Sequence, residues 1–430
     1  TGLDSPHAEA VLRALDADGS VGLRDAPDAL LGQAREATRG YPRALEALYA
    51  ILSADRYTTL AEVLSRAEEA LPENVVAALV GDAYSRLDPA AQQVLQALAV
   101  YNRPATPAAV DYLLRPYLPG VDSAPILQRL TVMHFARREG ERYSLHPVDR
   151  AYAFSRIPPH TQPAFLSRAA DYYREARKPR AAWKTLDDLA PQLAEFELRC
   201  AAGEYDAAAD VLTDIDFDYL LLWGHIRLMA RLHEQLQGKL RDRRLAYISA
   251  GNLGIAYYSL GRIAEALDFY EQALAIEREI GDRRGEGADL GNLGVAYYSL
   301  GRIAEAIAYH EQALTIAREI GDRGDEGSHL GNLGLAYRAL GRIAEALDCY
   351  QQALTIDREI GDRRGEGADL GNLGLAYSDL GRIAEAIAYY EQALTIAREI
   401  GDRRGEGNHL GNLGIAYRNL GRIAEALDCY

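Results

Sequence analysis

A chain of 430 residues, 48% of them hydrophobic, has material for several cores, and 47 basic against 63 acidic residues leave it a net charge of −16. That balance disfavours unaided binding to nucleic acid or an anionic membrane and leaves basic or neutral partners open. Cys200, Cys349 and Cys429 fit no metal spacing, and no signal peptide or apolar run of the roughly 18 residues that span a membrane is visible, so a cytoplasmic protein with reduced packing thiols is expected.

Residues 1–75 read as a helical segment containing "GYPRAL", Gly40 to Leu45. From Tyr84 to Val100 the apolar spacing predicts one amphipathic helix. A turn with Pro104 and Pro107 leads to a second helix ending at Leu114, and Ala124 to Met133 predicts a third. "HFARREGERYSL" then alternates as a β-hairpin with Glu139-Gly140 as its turn. Three helices and a hairpin make a winged helix over residues 76–158. Between Asp82 and Arg156 stand nine Arg and seven acidic residues, and the third helix carries only Arg129, so nucleic acid is an unlikely partner.

"LHPVDRAYA", Leu145 to Ala153, follows the hairpin directly. Residues 159–242 read as a helical linker with degenerate repeat-like helix pairs, such as "AAGEYDAAADVL" from Ala201 to Leu212. Catalytic machinery is missing. The one Gly-Lys pair, Gly238-Lys239, is followed by Leu240 and lacks the upstream glycine of a phosphate loop. "DIDFDYLLLW", Asp214 to Trp223, puts Tyr219 where a calcium loop needs Gly and His225 where it needs Glu, so it reads as a helix junction.

From residue 243 to 430 the chain repeats with a period of 40, and the last copy is incomplete. Leu253, Ala256, Tyr257 and Leu260, then Ile263, Ala266, Leu267 and Tyr270, fall at helical spacing, with Gly261 between them. Gly281-Asp282 supplies a glycine stop and an N-capping aspartate. Each copy is therefore an antiparallel helix pair. The start without Met and the end inside a repeat suggest a piece of a longer protein, whose last helix exposes an apolar face capable of self-association.

Leu253, Gly254, Tyr257, Gly261, Ala266, Tyr270 and Ala273 resemble the signature of the tetratricopeptide repeat, in the 40-residue form of kinesin light chains and Pins-type adaptors. The resemblance implies a right-handed superhelix whose first helices line a groove for a protein or peptide. It also assigns Gly254 to the contact between paired helices. Gly251, one turn earlier, would leave the groove floor bare. Asn252, Asn292, Asn332, Asn372 and Asn412 match the groove position that holds a peptide backbone, since an amide both donates and accepts. The alternative is that these amides cap or bridge neighbouring helices.

Positions that differ among copies are candidates for choosing the ligand, although drift would also produce them. Ser259, Ser299, Asp379 and Asn419 lie two turns after the asparagines. His329 and His409 alternate with Asp289 and Asp369 in an 80-residue super-period and are spaced too widely to converge on a metal. Tyr258, Tyr298, Arg338, Ser378 and Arg418 vary as well but point more to the side. The repeats from Gly251 sum to −11, which favours a basic or neutral ligand.

"GYPRAL" and "LHPVDRAYA" are similar to the Gly-Leu-Pro-Leu and Met-His-Asp motifs of NB-ARC ATPases of the STAND class. That resemblance implies that Pro42 packs near an adenine and His146 reads the nucleotide phosphate, with ATP or ADP bound by the full-length protein and no cofactor in this chain. Pro147 stands where that motif has Asp, which puts coupling by that residue in doubt; the plainer alternative is a turn proline and a surface histidine. The expectation is a mainly α chain, winged helix then repeat superhelix, forming the non-catalytic sensor portion of a STAND ATPase. A repeat scaffold without a nucleotide switch, or a transcription regulator using the winged helix on DNA, are the alternatives.

Overall fold

Aspartate and proline set most helix starts in the first half of the chain. The computed structural model describes residues 2–55, 57–68 and 75–430, in two units, Thr1–Leu212 and Thr213–Tyr430. In the first unit α1 (Ser5–Leu15) is capped by Asp4, α2 spans Asp28–Thr38, and α3 (Pro42–Ala54) opens on Pro42 at its first position, where the missing N–H costs nothing. α4 (Leu60–Glu68) and α5 (Val75–Ser85) follow.

Tyr84 to Val100 is not one helix. α5 ends at Ser85 and α6 (Pro89–Val100) begins anew, because the Asp88 carboxylate accepts the Ala91 N–H at 2.9 Å and Pro89 cannot continue a helix from before it. α7 (Pro107–Leu114) and α8 (Ser123–Val132) lead into β1 (Ala136–Glu139) and β2 (Arg142–Leu145). Pairing of Glu139 with Arg142 places the turn at Gly140-Glu141, one residue later than expected. Gly140 takes φ of +63°, the conformation only glycine enters freely. α9 (Pro147–Ser155), α10 (Gln162–Glu175), α11 (Ala190–Ala202) and α12 (Tyr205–Thr213) complete the run. One core joins α1 to α11 through Leu12, Leu31, Leu48, Leu95, Leu113 and Phe135.

The second unit starts with a π-helical turn, Asp216–Leu221, and α13 (Ile226–Glu234). Five first helices follow: α14 (Arg243–Ser259), α16 (Arg283–Ser299), α18 (Arg323–Ala339), α20 (Arg363–Asp379) and α22 (Arg403–Asn419). They alternate with second helices α15 (Ile263–Ile280), α17 (Ile303–Ile320), α19 (Ile343–Ile360), α21 (Ile383–Glu399) and α23 (Ile423–Cys429). Gly281 ends α15 with φ of +78°, and Asp282 caps α16 by accepting the Gly285 N–H at 3.1 Å. Successive first helices pack on one another more closely than successive second helices do. The array therefore curls with its first helices inside. α23 leaves Ile423, Leu427 and Tyr430 exposed, the apolar face expected there.

Small residues decide how closely paired helices approach. A Cβ built on Gly254 would lie 2.6 Å from Cε1 of Tyr270, and one on Gly374 would lie 2.5 Å from Cε1 of Tyr390. The aromatic ring occupies the space that the absent side chain leaves. Gly374→Ala is therefore expected to cost about 1–3 kcal/mol by overpacking, although alanine favours the helix by about 1 kcal/mol. Gly407, also inside a first helix, has open space around its Cα, so Gly407→Ala should stabilise. Thermal melts of the two variants, and of Gly374→Ala combined with Tyr390→Leu, check this. A Gly374→Ala variant as stable as Gly407→Ala would contradict the packing role.

Candidate functional site

The inner helices α20 and α22, with Ile396 and Ala397 of α21 and Ile400 just past its end behind them, enclose a cleft of about 570 Å³. Gly367, Ala368, Gly371 and Leu375 line it together with Asn372 and Asn412. Arg364 and Arg404 stand at its mouth, one from each first helix.

The five asparagines are all half-buried but differ in what they hold. Asn252 Nδ2 donates to Asp216 Oδ2 at 2.6 Å, and Asn292 Nδ2 donates to Asp289 Oδ1 at 3.0 Å on its own helix. Asn332, Asn372 and Asn412 make no side-chain hydrogen bond among the described residues, nor are their amides sealed from water. The bridging alternative is thus realised at Asn252 alone. Asp216 belongs to the segment read as a junction. It is 2% exposed, and His233 Nε2 lies 3.3 Å from its Oδ2 while His233 Nδ1 meets Ser249 Oγ at 3.0 Å. Asn252→Ala should accordingly cost about 1–3 kcal/mol, the penalty of leaving a buried acceptor unpaired. Asn372→Ala should change stability by less than about 0.5 kcal/mol. Urea unfolding of the two variants checks the contrast, which equal costs would overturn.

Gly251, Gly291, Gly331 and Gly371 do not leave a bare floor. They face the next repeat, where a Cβ on Gly251 would meet Asp289 Oδ2 at 3.4 Å and one on Gly291 would meet His329 Cε1 at 2.7 Å. His329 is 6% exposed and Asp289 5%, so the Asp/His alternation sits in the joints between repeats and not on an open groove. His409 is half-buried at the edge of the cleft, its Nδ1 sealed without a partner. Burial holds the pKa of His329 and His409 below the usual histidine value and pushes that of His310, beside His329, down to about 4.

A second alternation accompanies the first. Where the inner position is Asp289 or Asp369, the preceding second helix offers Glu277 or Asp357; where it is His329 or His409, that helix offers Ala317 or Ala397. Glu277 and Asp289 form a buried acid pair: burial raises both pKa values well above the carboxylate range, and the Asp289 charge raises that of Glu277 further. Burial and then the Asp357 charge raise Asp369 to about 8, while burial and the Asp362 charge raise Asp357 to about 6. The 80-residue super-period carried this signal, since both positions alternate together.

Ser259, Ser299, Asp379 and Asn419 are exposed along the rim. Two of the neighbouring variable residues, Tyr258 and Arg338, reach the next repeat. Tyr258 Oη meets Ser299 Oγ of the next repeat at 2.8 Å, and Arg338 Nε donates to Asp379 Oδ2 at 2.6 Å. Asp379 and Ser299 are thus engaged between repeats.

In the first unit, Pro42 opens α3 and His146 caps α9, its Nδ1 accepting the Val148 N–H at 3.3 Å. The two segments that carry them are joined by an ion pair that their motifs did not announce. Arg43 Nη2 donates to Asp149 Oδ1 at 2.7 Å, and the side chains are 6% and 3% exposed.

Residues 245–319, 288–359, 325–399 and 368–430 match the family model described as tetratricopeptide repeat. The segment from 245 to 430 is a run of tetratricopeptide repeats. Among solved structures, the chain is similar to a STAND protein with a tetratricopeptide repeat sensor from Pyrococcus horikoshii, at 17% identity and a TM-score of 0.42, over 99% of this chain and 65% of that one. It thus spans about two thirds of that protein's length. It is also similar to a kinesin light chain-like protein of nearly identical repeats from Podosopora anserina, at 24% identity and a TM-score of 0.38, over 44% of this chain and 93% of that one. A Rap protein solved in complex with competence and sporulation factor is similar at 19% identity and a TM-score of 0.41, over 57% of this chain and 75% of that one. No curated protein matches the sequence.

Proposed function

We propose that the repeats from 243 to 430 hold an extended peptide or protein segment along their inner face, and that the chain is the sensor portion of a STAND-class nucleoside triphosphatase. The observation that carries the first part is the set of three side-chain amides, Asn332, Asn372 and Asn412, without hydrogen-bond partners among the described residues, two of them in a cleft lined by glycine and alanine. Amides at that spacing suit a backbone, which offers both a donor and an acceptor. The triple variant Asn332→Ala, Asn372→Ala, Asn412→Ala should melt within a few degrees of the parent and lose about two orders of magnitude in affinity for a selected peptide. Unchanged affinity would overturn groove binding.

The switch reading draws support from the Arg43–Asp149 pair, which ties the Pro42 segment to the His146 segment and puts a carboxylate two residues beyond Pro147. Because His146 Nδ1 accepts a backbone N–H, its Nε2 carries the proton and would donate to a phosphate oxygen. That donor is what this chain would add to an ATP or ADP site; the phosphate loop would come from another part of the protein. A phosphate loop encoded upstream of Thr1 in the same gene is the expected finding, and its absence would sink the switch reading while leaving the groove untouched. The winged-helix reading of residues 76–158 belongs with it. Use on DNA is less supported, because Arg129, the one basic residue of α8, is ion-paired to Asp88.

A further inference from the structure

The first unit holds a second cleft, apart from both sites discussed above. Its volume is about 570 Å³, inside the range of about 300–1,000 Å³ usual for small-molecule sites. It opens where α9 and α10 diverge: α9 packs on α5 and α6, α10 packs on α7 and α11, and the two scarcely touch each other. Leu145 at the end of β2, Pro147 and Phe154 of α9, Pro163 and Leu166 of α10 and Ala201 of α11 give it apolar walls. Neither Pro42 nor His146 lines it.

One charged residue stands in that lining, and it has no counter-ion of its own. Arg150, half-buried on α9, donates from Nε to the Ala99 carbonyl at 3.0 Å. Its Nη1 and Nη2 make no hydrogen bond or ion pair among the described residues, and neither is sealed from water. Glu197, the carboxylate whose charge acts on it, is engaged on both oxygens: Asn102 Nδ2 donates to Oε2 at 2.6 Å and Arg103 Nη2 to Oε1 at 2.8 Å. Two guanidinium groups therefore share one carboxylate, and the cleft keeps an excess of positive charge. Burial holds the Arg150 pKa below the usual arginine value. The fold thus desolvates a cation without neutralising it, which is unfavourable until an anion arrives.

We infer that this cleft binds a small aliphatic monocarboxylate of the medium-chain fatty acid class, its carboxylate on Arg150 and its hydrocarbon chain against Leu145, Phe154 and Leu166. A planar guanidinium offers a carboxylate two parallel N–H donors, which suits the open Nη1 and Nη2. The amide of Gln162, also in the lining, already donates to the Ile157 carbonyl at 3.0 Å. A peptide would bring backbone N–H and C=O groups that apolar walls leave unpaired; a hydrocarbon brings none. An occupant would bridge α9, which His146 caps, to α10 and α11. The inference depends on neither the peptide groove nor the nucleotide switch.

Isothermal titration calorimetry of the intact chain with hexanoate, octanoate and decanoate, each below its micelle concentration, is the test. One site per chain is expected, with Kd falling at least tenfold from hexanoate to decanoate as more CH₂ groups leave water. Decanol, which keeps the chain and lacks the charge, should bind at least tenfold more weakly than decanoate. Arg150→Gln should raise Kd for decanoate at least tenfold. Ala201→Phe, which fills the exposed α11 side of the cleft and leaves Arg150 and its Ala99 contact intact, should do the same even if Arg150→Gln fails to fold. The groove variant Asn332→Ala, Asn372→Ala, Asn412→Ala should bind decanoate as the parent does, with each variant's fold confirmed by its melt. Absence of saturable binding, or an unchanged Kd in Ala201→Phe, would overturn the site. Decanol binding as tightly as decanoate would overturn the carboxylate, and loss of binding in the groove variant would place the ligand elsewhere and overturn the inference.

Discussion

Arg43→Ala is expected to destabilise the first unit by about 3–5 kcal/mol, the cost of stripping one partner from a buried ion pair. The guanidinium donates to Asp149 at 2.7 Å, to Glu46 Oε2 at 3.0 Å and to the His134 carbonyl at 3.1 Å, so α3, α9 and the approach to β1 all depend on it. Burial pushes the Asp149 pKa up, with the Arg43 charge as the main opposing influence. Without Arg43 the carboxyl would take up a proton and lose its partner. Asp149→Ala should cost a similar amount by stranding the guanidinium. Arg43 Nε and Asp149 Oδ2 are sealed without partners, so the pair is incompletely satisfied. Arg43→Met with Asp149→Leu should therefore recover most of the loss. Urea unfolding of the four chains is the measurement. A cost below about 1 kcal/mol for Arg43→Ala would show that the pair contributes nothing to holding the two motif segments together.

Two kinds of joint should make the stability of the repeats depend on pH, with opposite signs. Asp357 and Asp369 bind protons more tightly in the fold than in the unfolded chain, where carboxyls titrate near 3.8. Their contribution is complete at acid pH and is lost as pH rises through about 6 to about 8. Asp362 and Glu366, which face Asp357, add to the repulsion. Glu277 and Asp289 behave in the same sense. His310 has the opposite sign: lowered to about 4 from 6.5, its contribution is complete above the ordinary value and is lost as pH falls toward 4. The acid joints should make stability fall with rising pH from about 4, by on the order of 2 kcal/mol per acid joint, while the His310 contribution opposes that fall over its lower part. Glu277→Gln with Asp357→Asn should flatten that fall, and His310→Tyr, the residue most repeats carry there, should steepen its lower part. Melting temperatures between pH 4 and 9 check both; an unchanged fall in the double variant would remove the acid pairs as its cause.

The repeat architecture could be read from the chain because every boundary is punctuated in sequence: Gly281 stops a helix, Asp282 starts the next, and Tyr270 comes back against Gly254. The break at Asp88-Pro89 carried equal punctuation, but apolar periodicity continuing across it made one helix of two. What stayed hidden depends on contacts between distant positions. No local pattern reveals that Asp216 fills the first rung from 36 residues away, or that Arg43 meets Asp149 across 106 residues. The role of Gly251 was misread for a related reason. Its nearest neighbour is the Asp289 side chain of the following repeat, and a helical wheel drawn for one repeat shows an empty face there.

The side-chain amide resonances of the five asparagines, assigned one by one through Asn→Ala variants, report directly on which rungs a ligand touches. Titration with a peptide selected on the intact chain is expected to shift Asn332, Asn372 and Asn412 together and to leave Asn252 and Asn292 in place, still donating to Asp216 and Asp289. Saturating peptide that moves Asn252 or Asn292, or that leaves the other three unmoved, would contradict binding along this ladder.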